Sequence, residues 1–326
     1  MLAPREGRER TVSAAWKQEG GGRMPLNGLD AVLLAVDDLS AGRDFCGTFG
    51  LSQRESGGTS ADFVTLDQGE VLIRRVDDPG LPAPVCSGSN IREVVWGATD
   101  SADLDEIAGE LAKDRAVTRD ADGVVHSHDD DGYGIAIRLT RRIGPPPSHN
   151  RANVFGAPPT RPVNARIDFA EAVRPASLAH VVLFTPDVPR ASRFYIERLG
   201  FRISDTFAGG RGAFLRAPGS SQHHTLFLIR AEGLGLHHVA FHVRDFTDIM
   251  NGGLSMLKAG FEPKFGPGRH VIGSNYFWYF NSPFGGAMEL TADVDVVDDN
   301  WLPKEWEYRP DVTAAWSMTV NTPSGR

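Results

Sequence analysis

Five of the chain's ten histidines fall within residues 221–243, SQHHTLFLIRAEGLGLHHVAFHV. Imidazole is costly to bury in so apolar a segment unless its nitrogens find hydrogen bonds or a metal ion. Strand side chains alternate between two faces, which sorts these residues. In LAHVVLF, from Leu178, His180 shares a face with Val182 and Phe184. In LHHVAFHV, from Leu236, His238 lies with Ala240 and His242, and Val239, Phe241 and Val243 make the apolar face. In GAMELTA, from Gly286, Glu289 lies with Ala287 and Thr291. Each strand thus sets one donor opposite its most apolar face, and His180, His238 and Glu289 can converge in one cavity. Two imidazoles and a carboxylate suit non-haem Fe(II) with open positions; Mn(II) fits the same set, and zinc usually takes fewer ligands. Taken singly, each has a plainer reading: a hydrogen-bonded core histidine, or a glutamate paired with arginine. Their joint appearance at repeat-equivalent strand positions favours the shared site.

The elements that must position these donors are written twice. LDAVLLAVDDLSAGRDFCGTFGL starts at Leu29 and LAHVVLFTPDVPRASRFYIERLGF at Leu178. Each reads as an apolar strand, an Asp-containing turn and an amphipathic helix. Ala191, Phe194, Tyr195 and Leu199 follow helical spacing, and Asp187 is placed to cap that helix. IREVVWGATDSADLDEIAGELAK and LHHVAFHVRDFTDIMNGGLSMLK repeat the pattern, and GYGIAIRLT and GGAMELT read as closing strands. This internal repetition predicts an α+β fold: two tandem domains, each of two βαβββ modules forming a curled mixed sheet around a cavity. The expected order is a disordered leader over 1–24, an N-terminal domain over 25–145 and a Pro- and Gly-rich linker over 146–176. A C-terminal domain over 177–296 and a tail over 297–326 follow; the tail's three tryptophans suit a segment covering the pocket mouth.

A chain of 326 residues is long for a single core. Its formal net charge of −8 argues against nucleic acid or an anionic membrane as partner. Two cysteines form no CxxC pair, and no apolar run approaches a membrane span. The charged N-terminus lacks a secretory h-region, so a cytoplasmic protein is expected.

LAHVVLFTPD, HHTLFL, LHHVAFHV, GPGRH, WYF and GGAMELT occur in this order. Together they resemble the extradiol (type I) ring-cleaving catechol dioxygenases of the vicinal oxygen chelate superfamily. The spacing shared with that family is nine residues from His270 to Tyr279 and ten from Tyr279 to Glu289. The resemblance implies His180, His238 and Glu289 as ligands of Fe(II), with Mn(II) as the other metal of that set. It implies His224 as an acid–base residue, taking the second catechol proton and later returning one. His270 and Tyr279 would be hydrogen-bonding partners of the substrate oxygens. The implied reactants are a small aromatic diol and O2, in a chain that relatives suggest is a homo-oligomer.

In the N-terminal half the counterparts are Ala31 (Asp30 if the alignment slips by one), Glu93 and Arg138. An arginine in place of the carboxylate excludes a cation, so this half reads as structural and without metal. His223 and His237 fall on the faces opposite their neighbours and read as structural. His242 shares the face of His238 but lies four residues further along the strand, and His126, His128 and His149 read as solvated loop residues. Some relatives that cleave carboxylated catechols carry an arginine just upstream of GPGRH; Phe265 stands there, beside Lys264, and favours an apolar or large aromatic diol, while Lys264, Arg269 or Arg309 could still supply a cation. Two other readings stand against the dioxygenase. A glyoxalase-like metal-dependent isomerase or lyase would commonly draw its site from both halves. A bleomycin-resistance-type binding protein would need neither the triad nor His224.

Overall fold

The computed structural model describes residues 10–11, 26–54, 58–144 and 152–318. The order strand–helix–three strands runs four times. The first module is β2 (Leu26–Val36), α1 (Leu39–Thr48), β3 (Ser52–Gln53), β4 (Ser60–Val64) and β5 (Glu70–Arg75), preceded by β1 (Arg10–Thr11). The second is β6 (Asn90–Ala98), α2 (Ser101–Leu111), β7 (Thr118–Arg119), β8 (Val125–His128) and β9 (Gly134–Leu139). The third is β10 (Ser177–Thr185), α3 (Val188–Leu199), β11 (Arg202–Phe207), β12 (Gly212–Arg216) and β13 (Leu226–Arg230). The fourth is β14 (Gly235–His242), α4 (Phe246–Lys258), β15 (Pro263–Arg269), β16 (Tyr276–Asn281) and β17 (Ala287–Ala292). The tail adds β18 (Lys304–Trp306), α5 (Pro310–Thr313) and β19 (Trp316–Ser317).

The first two modules share an eight-stranded sheet, the last two an eleven-stranded one. In each sheet the first strands of the two modules pair antiparallel at the centre, β2 with β6 and β10 with β14, and each module's last strand runs parallel to its first. This is the α+β architecture of paired βαβββ modules that the repeats imply. All four long helices start on an aspartate, Asp38, Asp100, Asp187 and Asp245, whose side chain accepts first-turn backbone N–H groups. Ala191, Phe194, Tyr195 and Leu199 form the buried stripe of α3, as their spacing predicts. Helix α4 lies so close to its sheet that a Cβ at Gly253 would stand 1.9 Å from the Trp278 ring, so only glycine fits there.

The helices of both halves pack into one continuous apolar core. Phe49 meets Phe241 edge-to-face at 5.3 Å and Trp96 meets Phe201 at 4.9 Å, pairs worth about 0.5–1.5 kcal/mol each beyond their buried area. Tyr133 reaches across the seam, its hydroxyl donating to the Phe184 carbonyl at 2.8 Å and accepting the Gly235 N–H. Those residues end the β10–β14 pair, so the N-terminal half grips the two central strands of the other.

Two expectations are modified. Most of the leader lies outside the described residues, but Arg10–Thr11 pair with Lys304 and Glu305 as a short strand, which departs from disorder. Described residues 152–176 of the linker contain neither helix nor strand. His126 and His128 lie in β8, not in a loop, and His126 Nδ1 stands 2.9 Å from buried Glu93; His149 lies outside the described residues.

Candidate metal centre and pocket

Strand register brings the candidate residues together. His180 stands opposite Ala240, Ala240 opposite Glu289, Glu289 opposite Tyr279, and Tyr279 opposite Phe265, so one row crosses five strands. His238 lies two residues before Ala240, on the same face of β14. The Nε2 atoms of His180 and His238 are 3.1 Å apart, and each is 3.2 Å from Glu289 Oε2. All three side chains are buried, and Oε2 finds no hydrogen-bond donor. Three lone-pair atoms would not be pressed together in a dry interior without a cation between them. Two ligands at right angles, each about 2.2 Å from an ion, stand about 3.1 Å apart, so the triangle is sized for one. Among the described residues it is the one such cluster of three donors.

The protonation states suit a metal. Burial pushes His238 down to about 4, against the attraction of Glu289. Burial works to raise the Glu289 carboxyl, but the imidazoles of His180 and His238 outweigh it and hold it well below the ordinary range. His238 would thus meet a cation as neutral imidazole and Glu289 as a carboxylate. The groups behind the ligands fix their orientation. Asn275 donates to Glu289 Oε1 at 3.3 Å and to Thr291 Oγ1 at 2.8 Å. His237 Nδ1 lies 2.6 Å from His238 Nδ1, and burial pushes His237 to about 2, so it stays a neutral acceptor for the ligand's N–H.

The donors open onto a cavity of about 420 Å³. His224, His270 and Tyr279 line it beside the triangle. The ring of His224 is 4.2 Å from that of His180, and burial pushes His224 well below the ordinary imidazole value. His270 Nε2 is 3.0 Å from the Tyr279 hydroxyl, and its Nδ1 donates to the Thr313 carbonyl in the tail at 2.7 Å. Burial lowers His270 and raises Tyr279 well above the phenol range, keeping both neutral. The far wall is apolar: Phe214 and Phe227 stack at 4.0 Å, flanked by Phe207, Ile229, Ile272 and Tyr308. Phe265 stacks on Phe277, and Lys264 stands exposed at the rim.

Five of the six candidate residues therefore line one pocket, and the sixth, Glu289, lies buried against His180 and His238 at its edge. His223 and His237, read from the sequence as structural, each contact the candidate histidine next to them, His223 Nδ1 lying 3.1 Å from His224 Nδ1 and His237 Nδ1 2.6 Å from His238 Nδ1. His223 and His224 precede β13, outside the strand, so strand alternation does not govern them, whereas His237 and His238 lie in β14. Asn275 was also missed: it sits in the turn before β16, where no periodicity marks it.

In the N-terminal sheet the row through Ala31 continues to Val95 and Ala136, so register sets Ala136, not Arg138, opposite the Glu289 position. Arg138 lies two residues on. It donates to Asp30 at 2.7 Å and pairs with Glu70, while Arg142 and Thr140 also bond Asp30. Interlocked ion pairs fill that sheet's buried face.

Residues 177–290 match the model of the Glyoxalase/Bleomycin resistance protein/Dioxygenase superfamily. Metapyrocatechase 2 of Cupriavidus necator is 40% identical over 169 residues, a match spanning 52% of each chain, about half the relative's length. The iron-dependent extradiol dioxygenase of Rhodococcus jostii is 26% identical over 86% of this chain and 94% of its own. Among solved structures, the Mn(II)-bound glyoxalase from Novosphingobium aromaticivorans superposes with a TM-score of 0.71 at 24% identity. It covers 91% of this chain and 93% of that one, a likeness of fold. No helix among the described residues is long and apolar enough to cross a membrane.

Proposed function

We propose, from the match of residues 177–290 to the Glyoxalase/Bleomycin resistance protein/Dioxygenase superfamily and from the site's geometry, that the chain is an extradiol dioxygenase that opens an aromatic ring beside two adjacent hydroxyls with O2. The observation that carries this reading is the buried triangle of His180, His238 and Glu289, which would hold the metal. Fe(II), or Mn(II) in the same donors, would supply a redox-active ion able to bind both the diol and O2.

The chain's own residues do the rest. His224, neutral and facing the cavity, takes the second diol proton and returns a proton as the ring opens. Tyr279 and His270 hold oxygens through hydrogen bonds that gain strength where water is excluded. The Phe214–Phe227 wall receives an apolar ring substituent, and Phe265 at the arginine position of carboxylate-binding relatives favours such a substrate. Tyr308 and Thr313 bring the tail over the mouth, so the tail acts as the pocket's cover, and the N-terminal half serves as the scaffold.

The fold likeness to the Mn(II)-bound glyoxalase supports a second reading, a metal-dependent isomerase or lyase. Oxygen uptake separates the two. After anaerobic loading with Fe(II), a panel of catechol, 3-methylcatechol, 3-phenylcatechol and a carboxylated catechol should give uptake and a yellow product, strongest with 3-phenylcatechol. Absence of uptake with every diol rejects the dioxygenase.

A further inference from the structure

Behind His224 runs a buried hydrogen-bond chain that ends on a carboxylate. His224 Nδ1 lies 3.1 Å from His223 Nδ1, and His223 Nε2 lies 3.2 Å from Asp205 Oδ2. The other oxygen of Asp205 accepts the Lys304 N–H at 2.7 Å, which ties the chain to strand β18 of the tail. All three side chains are buried, His223 completely. Trp301 closes one side, its ring 5.5 Å from His223, and Phe214 packs on both imidazoles. Gly273, at φ +81°, covers the contact between them: a Cβ there would stand 3.5 Å from His223 Nδ1.

The donor and acceptor inventory orders this chain in one direction. A carboxylate only accepts, so His223 must carry its proton on Nε2. A neutral imidazole has one N–H, so His223 Nδ1 is left as an acceptor. His224 then donates through Nδ1–H, and its Nε2 is left with a free lone pair on a ring that lines the cavity. We propose that Asp205 and His223 are positioning residues that hold His224 in the Nδ1–H form, so that it meets the diol as a base. The proposal rests on the dioxygenase reading for its catalytic consequence, but the tautomer itself follows from Asp205.

Asp205→Asn tests this with little change of shape. The amide oxygen still accepts the Lys304 N–H, while the amide nitrogen now donates to His223 Nε2. Each proton in the chain must reverse, which moves the His224 proton to Nε2 and blocks the base. In the histidine of a serine-protease triad, the same exchange of carboxylate for amide imposes the wrong tautomer. Two readouts decide. In the full chain without metal, ¹⁵N-histidine NMR should find His224 as Nδ1–H in the natural protein and as Nε2–H in Asp205→Asn. In Fe(II)-loaded enzyme with 3-phenylcatechol, kcat should fall about 10²-fold or more, with KM and iron content within about threefold of the natural protein. His223→Gln can accept from His224 and donate to Asp205, so it should recover kcat to within about 10-fold, whereas His223→Phe should not. An Nε2–H His224 in the natural protein, or an unchanged kcat in Asp205→Asn, overturns the proposal. If Asp205→Asn does not fold, a His223→Gln variant no better than His223→Phe overturns it as well. A natural protein that consumes no oxygen with any diol refutes the dioxygenase reading instead, and the NMR result still decides the positioning chain.

Discussion

Glu289 is the residue whose chemistry depends most on its two neighbours, because its buried Oε2 has the edges of His180 and His238 for company and no hydrogen-bond donor. Glu289→Gln keeps the shape but removes the only charge in the triangle. Iron content after gel filtration should fall to background, and full retention of iron would sink the triad assignment. His224 plays a different part, so His224→Phe should keep iron and lose about 10²-fold or more in kcat; an unchanged rate would remove its proton-transfer role. At this scale the sequence was legible where side chains follow backbone alternation. The gathering of His180, His238 and Glu289 could be expected from strand alternation, and the nearness of His224, His270 and Tyr279 from family motifs. Asn275, and the partners His223 and His237, were not legible. Asn275 and His223 lie outside the strands, and the contact of His237 with its chain neighbour His238 is not one that a period of two encodes.

At the scale of elements, the tail ties both rims of the pocket together. Strand β18 adds to β11 on one side and β19 to β15 on the other, and between them Thr313 accepts the Nδ1–H of His270. A chain ending at Tyr308 keeps β18 but loses the Thr313 carbonyl and β19. The His270 ring then loses its anchor, so steady-state kinetics should show kcat lowered about 10-fold and KM raised, with iron content unchanged. Unaltered kinetics would make the tail simple packing. The strand–helix–three-strand order, and Asp187 as a cap, were readable because each rests on local periodicity and local hydrogen bonds. The tail's pairing with β11 and β15 was not, because strands of two or three residues carry no period of their own.

At the scale of the whole molecule, the two sheets share one core, and the half without the donor triangle holds the strands that bear it. Tyr133 joins Phe184 and Gly235 at the end of the β10–β14 pair. Tyr133→Phe leaves a buried N–H and carbonyl without this partner and should cost about 1–3 kcal/mol in urea unfolding. Arg138→Leu takes one partner from each of buried Asp30, which keeps Arg142 and Thr140, and Glu70, which keeps Arg54, so a loss of about 1–3 kcal/mol is expected, and an unchanged unfolding midpoint would contradict the network's role. Sequence repetition gave the architecture but set Arg138 opposite the Glu289 position, two residues out of register. Aligning GYGIAIRLT with GGAMELT fixes the closing strands to each other, whereas hydrogen bonding fixes β9 to β6. All of these parts serve one claimed outcome, the opening of an aromatic ring by O2 at the His180–His238–Glu289 site. The most direct test is mass spectrometry of the product formed from 3-phenylcatechol by the Fe(II)-loaded enzyme in an oxygen-limited vessel. A yellow, ring-opened product heavier than the diol by one whole O2, formed in equal amount to the oxygen consumed, is the predicted result; recovery of the diol unchanged, or of a quinone with no added oxygen, would contradict it.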